Sequence, residues 1–129
     1  MPQHIHTPAG EENKDAIASI FKAVKSSREA SDHAAGALLR HSPVLIKALR
    51  TGSGQGEKVS RIIRSVWNGH HKTGLCDDLA GLDHEIGLAV LALIAARIHM
   101  GGDADAIIRA ILVDSGEYQR LCDEVEREA

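Results

Sequence analysis

The sequence predicts an all-α fold: a compact bundle of five to seven short helices around one central apolar helix at about residues 83–99. Three observations carry that expectation. Apolar residues recur at spacings of three and four along most of the chain. No β-branched alternating run bounded by hairpin turns occurs. Glycine, proline and capping residues divide the chain at intervals that suit short helices packed as a bundle.

The elements follow in order. Residues 1–10 hold Pro2, Pro8 and Gly10 and read as a flexible arm, leaving residues 11–129 as a single helical domain. Residues 11–29 place Ile17, Ile20, Phe21 and Val24 on one helical face, with acids early and bases late as the helix dipole favours. Ser31 and Asp32 can cap a second helix burying Ala34, Ala35, Leu38 and Leu39. Ser42-Pro43 reads as an N-cap followed by proline at the first helical position, opening a third helix with Leu45, Ile46 and Leu49 inward. Gly52, Gly54 and Gly56 break the chain. Residues 56–68 form an amphipathic helix burying Val59, Ile62, Ile63, Val66 and Trp67. Gly69, Gly74 and Gly81 make 69–81 the least regular interior stretch. Asp83 then caps the central helix, apolar nearly all round through Ile86, Leu88, Val90, Leu91, Leu93 and Ile94. Gly101-Gly102 ends it and Asp103 caps the next, with Ile107, Ile108, Ile111 and Leu112 inward. A last helix from about Ser115 buries Tyr118, Leu121, Cys122 and Val125.

A chain of 129 residues is long enough for one core without covalent staples. Its longest uncharged apolar stretch, residues 86–96, is about half the roughly 20 residues that a membrane span needs, so no membrane is expected. Cys76 and Cys122 form no CxxC pair or disulfide framework, and no signal segment opens the chain, so a reducing cytoplasm is the expected compartment.

The charges are sorted along the chain. Residues 22–72 carry ten Lys/Arg against three acids, whereas residues 73–129 carry twelve acids against four bases, within a formal net charge of −3. Such asymmetry points either to a charged partner or to halves that fold onto each other.

Several constellations suggest chemistry. Gly52-Ser53-Gly54-Gln55-Gly56 precedes a helix and its amides suit an anion, but the pattern is neither a P-loop nor a dinucleotide fingerprint; a helix-to-helix turn explains it equally. Lys58, Arg61, Ser65 and Asn68 share the wet side of the 56–68 helix, with Arg64 nearby. That face suits phosphates, and with residues 45–50 it loosely suggests a helix-turn-helix. A solvated surface is the plainer account. Three aromatics in the whole chain offer no platform for single-strand stacking. His70, His71, Cys76, Asp77, Asp78, Asp83, His84 and Glu85 are potential metal ligands, yet lack the paired spacings of zinc sites. Pro2-Gln3-His4 would suit Cu(II) or Ni(II) after removal of Met1. No cofactor motif or nucleophile context is present, so no enzyme and no cofactor are expected. The last helix gathers Asp114, Glu117, Asp123, Glu124, Glu126 and Glu128, an acidic face able to imitate nucleic-acid phosphates, to dock on the basic half, or to support a homodimer.

The run from Ala48 to Gly56, followed by Val59, Ile62-Ile63, Val66-Trp67-Asn68, Gly74-Leu75, Leu79 and Leu82-Asp83, resembles an uncharacterised family of small phage- and plasmid-borne bacterial proteins. That family has a threonine-glycine-glutamine turn, a helix ending in tryptophan-asparagine and a glycine-leucine stretch leading to an aspartate. Here Ser53-Gly54 interrupts the turn, Val66 stands where a second tryptophan is usual, and the aromatic after the glycines is missing. The resemblance implies that Gln55, Trp67, Asn68 and Asp83 form one structural cluster, with the indole N–H paired. It also implies a mobile-element context. The expected function is a non-enzymatic inhibitor, similar in style to anti-CRISPR proteins, that occupies a nucleic-acid or subunit site on a bacterial Cas effector. The alternative is a small DNA-binding regulator using the basic 22–72 half.

Overall fold

A computed structural model describes residues 9–67 and 74–128, and among these every regular element is a helix: α1 Ala9–Arg50, α2 Gly54–Val66, α3 Leu75–Leu79, α4 His84–Met100, α5 Asp103–Ser115 and α6 Tyr118–Glu128. The bundle expected from the periodicity is present. The flexible arm expected at residues 1–10 lies outside the described residues except for Ala9 and Gly10, which are helical.

The main departure is at the start. Three helices expected before residue 50 are one helix of 42 residues, about 63 Å long at 1.5 Å per residue. Ser31 and Asp32 do not interrupt it, because nothing downstream turns the chain away. Pro43 lies inside it. A proline there has no N–H for the carbonyl four residues back, Leu39. The Ser42 hydroxyl donates to that same Leu39 carbonyl at 2.9 Å. Ser42 therefore repairs the gap that its neighbour makes, and is not a cap.

Core packing centres on the second half of α1. Leu38, Leu45, Ala48 and Leu49 meet Val59, Ile62 and Ile63 of α2, Ala89, Val90, Leu93 and Ala96 of α4, and Ile108 and Leu112 of α5; Leu121 of α6 closes the cluster. Helix α4 touches α1, α2 and α5. It runs antiparallel to α1: its first turn shares a cleft with Lys47 and Ala48, and its last carbonyls reach Ser31, whose hydroxyl donates to His99 O at 2.8 Å. Leu39, expected inward, is exposed.

Glycines make the α1–α2 joint. Gly52 has φ +64°, which turns the chain, and a Cβ on Gly56 would stand 2.4 Å from the Ala48 carbonyl oxygen. The Ser53 side chain caps α2 by accepting from Gly56 N–H at 3.3 Å. The helix-to-helix turn thus accounts for the Gly-Ser-Gly-Gln-Gly run. At the α5–α6 joint, Gly116 is left-handed, and the bonds Gly116 N–H to Val113 O and Glu117 N–H to Leu112 O form a Schellman pair. Helix α6 therefore starts at Tyr118 rather than near Ser115. Gly102, not Asp103, is the N-cap of α5.

Candidate functional site

The charged side chains that the sequence offers as binding faces are largely spent within the molecule. On α2, Lys58 donates to Ala80 O at 2.6 Å. Arg61 binds Asp78 through Nε at 2.9 Å and its terminal nitrogen at 2.8 Å. Arg64 is 4 % exposed, beside Glu124 at 3.7 Å. Glu124 also accepts from the Ser60 hydroxyl at 2.7 Å. Of the expected wet basic face, Lys58, Arg61 and Arg64 therefore lie in a polar seam where α2 meets the α3 segment and α6, and Ser65 is half-buried. The physical reason for the seam is the charge sorting itself: acids from the second half of the chain neutralise cations from the first. Asn68 lies outside the described residues.

The acidic helix is divided in the same way. Glu117 is buried between Arg50, at 3.0 Å, and Arg120, at 3.1 Å. Asp123 accepts from Gln119 on the next turn at 3.0 Å. Asp114 and Glu126 are exposed, and the Glu128 side chain lies outside the described residues. Among the described residues, the ion pairs Arg50–Glu117, Arg61–Asp78 and Arg64–Glu124 bridge the basic and acidic parts of the sequence.

Many of these cations also finish helices. The last four carbonyls of a helix lack partners within it, and positive charge there complements the dipole. Arg120 donates to Leu49 O at the end of α1, and the Arg50 guanidinium reaches Ser115 O at the end of α5. Arg97 donates from Nε to Val66 O at 2.9 Å, closing α2, and also holds Gly101 O and Asp105. Spacing along the chain gives no sign of Arg97's role, because its partners lie on three separate elements.

The expected cluster of Gln55, Trp67 and Asp83 separates into two. Asp83 stands at the N-cap of α4 but makes no side-chain cap bond. Instead, its own N–H donates to Gln55 Oε1 at 2.9 Å. Trp67 lies at the opposite end of α2, buried, with its ring edge-on to Tyr118 at a centroid distance of 5.5 Å. The Arg109 guanidinium carbon lies 5.5 Å from the Tyr118 ring centre. A 13-residue helix, about 20 Å long, keeps the two clusters apart.

An open cleft of about 880 Å³ lies where α1 ends and α2 and α4 begin, lined by Lys47, Gln55, Lys58, Asp83, His84 and Glu85 among others. Cations and acids oppose each other across it. Of the candidate metal ligands, His70, His71 and the Cys76 side chain lie outside the described residues. Asp78 is committed to Arg61. Among the described residues, no three His, Cys, Asp or Glu side chains gather as a metal site.

No protein-family model, curated protein or solved structure matches this chain.

The fold also leaves apolar side chains open to solvent on α4. Helix α4 is buried on one side by Ala89, Val90, Leu93 and Ala96, but Leu88, Leu91 and Ile98 face outward, Leu91 at 62 % and Ile98 at 70 % exposure. The expectation of a helix buried all round is therefore half correct. Positions 88, 91, 95 and 98 recur at three and four, so they form one outer stripe. Beside its first half, Leu79 and Leu82 line a groove of about 400 Å³ with Leu88 and Leu91. Among the described residues, no helix is long and apolar enough to cross a membrane.

Proposed function

We propose that the protein is a non-enzymatic binding protein that acts by covering a surface of another protein with the outer face of α4. The observation that carries this is the stripe Leu88–Leu91–Ile98 and its adjoining groove, left open while Arg50, Arg61 and Arg64 are held in internal pairs. Contiguous exposed apolar surface rimmed by polar residues marks protein contact sites. The partner class suggested by the sequence resemblance is a Cas effector complex of a bacterial defence system, with the protein as its inhibitor inside the host cell. Asp83 and His84, which line the adjoining groove, supply polar groups at its edge.

The test is a plasmid-interference assay in cells carrying a defined CRISPR-Cas system, with and without the protein. Expression should restore plasmid survival in at least one system. Leu91→Asp with Ile98→Asp should abolish that rescue while leaving the thermal midpoint nearly unchanged, because both side chains are already in water. Absence of rescue across systems overturns the inhibitor assignment, and rescue that survives the double substitution overturns the assignment of the face.

The rival function, a DNA-binding regulator, would have to use cations still exposed on α1: Lys22, Lys25, Arg28, Arg40 and Lys47. A gel shift over a salt series decides it, since phosphate contacts weaken steeply as salt rises.

A further inference from the structure

The seam by which α1 packs on α4 does not stop where α4 stops. Ile17, Val24, Ser31, Leu38 and Leu45 follow one another at intervals of seven, the repeat that keeps residues on one helix face. From Ser31 downward that face is filled: Ser31 meets the end of α4, and Leu38 and Leu45 are core. Upward it is empty. Every described side chain from 13 to 29 is exposed, including Ile17, Ile20, Phe21 and Val24, with Phe21 at 69 %. This stretch projects about 25 Å beyond the body. A single helix of that length is marginal in water unless a second element covers its apolar stripe.

We infer that the covering element is the same arm of a second copy, running antiparallel. Two features of the arm select this occupant. The apolar stripe is centred between residues 20 and 21, so a two-fold axis there sets Ile17 against the partner's Val24, and Ile20 against the partner's Phe21. Such self-matching is what an isologous contact requires. The charges are also self-complementary. The arm begins with Glu11, Glu12 and Asp15 against one base, Lys14, and ends with Lys22, Lys25 and Arg28 against one acid, Glu29. Antiparallel pairing brings the acidic end of each arm to the basic end of the other, whereas parallel pairing sets like against like. The lower part of the same seam already holds an antiparallel helix, α4.

Two helices touching over about 25 Å bury less than the roughly 1,200 Å² of a standard stable interface, so the dimer is a weak, micromolar one. It sets the two bodies at opposite ends of the paired arms, each presenting its own α4 face. This inference does not depend on the function proposed for that face.

The experiment is sedimentation velocity over a concentration series, on the full chain and on Ile20→Asp with Phe21→Asp. The full chain should pass from monomer to dimer between about 1 and 100 μM, the range expected for so small an interface. The double variant should remain monomeric throughout, with an unchanged thermal midpoint because neither side chain belongs to the core. Orientation is read by disulfide trapping in a Cys76→Ser, Cys122→Ser background shown to keep the wild-type midpoint. Ile20→Cys should cross-link, whereas Asn13→Cys should not, because a disulfide needs Cα atoms within about 7 Å and residue 13 faces residue 28 across the axis. A chain monomeric at all concentrations overturns the inference. Dimerisation that survives the double substitution also overturns it, and cross-linking through position 13 overturns the antiparallel arrangement.

Discussion

Replacing Gly56 by alanine tests how closely α1 and α2 are packed. An added Cβ would stand 2.4 Å from Ala48 O, and such contacts do not fall below 3.0 Å, so the two helices must separate by at least 0.6 Å at this point. Both sides of the contact are backbone, so no side chain can rotate away. The separation also loosens Ala48 and Leu49 against Val59, all of which belong to the core. Overpacking of this kind costs about 1–3 kcal/mol. Alanine returns about 1 kcal/mol through its better helix propensity. The net loss from wild type is about 0–2 kcal/mol, and the loss relative to a glycine-to-alanine change without the clash is about 1–3 kcal/mol, each kcal/mol being roughly 4 °C in thermal midpoint for a chain of this size. Gly54→Ala is the matched control, one turn-residue away in α2 with nothing within 4 Å of its added Cβ, and it should lose nothing. Calorimetry or circular-dichroism melts of both variants give the comparison. Equal midpoints for the two would refute the close approach.

Other consequences follow from the same contacts. Ser42→Ala should cost about 0.5–1.5 kcal/mol by urea denaturation, the value of one hydrogen bond, and much less in a Pro43→Ala background, where alanine's N–H serves Leu39 O itself; additive losses would show that Ser42 does not repair the proline gap. Glu117→Ala should lower stability by about 1–2 kcal/mol, reduced from the full penalty of a buried pair because Arg50 is more than half exposed; a chemical-denaturation midpoint equal to wild type would contradict the bridging role.

The all-α bundle and its inner residues were legible because periodicity reports which face meets the core, and Val59, Ile62, Leu93, Ile108 and Leu112 are all buried as their spacing implies. Helix ends were less so. Ser42-Pro43 has the composition of a helix start, and only the hydroxyl's bond to Leu39 O distinguishes a repaired interior from a cap. Periodicity also reports that a face is apolar without saying what covers it. Ile17, Ile20, Phe21 and Val24 therefore read as core while standing in solvent. The same limit applies to charge. Arg61 and Arg64 looked like a phosphate-binding face because their partners, Asp78 and Glu124, are 17 and 60 residues away. Of the two outcomes that charge sorting allows, halves that fold onto each other is the one seen at Arg50, Arg61 and Arg64.

The central claim is that these cations hold the fold together and do not wait for a ligand. A double-mutant cycle on Arg61→Met and Asp78→Asn, followed by urea denaturation, tests it most directly. Asp78 is 3 % exposed and Arg61 bonds it through two nitrogens. Removing Arg61 takes a positive charge and two N–H donors from a buried carboxylate, so the single substitution should cost about 2–3 kcal/mol, discounted because a third of the Arg61 side chain meets solvent. The double variant should recover at least about 1 kcal/mol of the summed losses. Losses that add within about 0.5 kcal/mol would mean that the two side chains do not couple, and would contradict the claim that this pair holds the fold together.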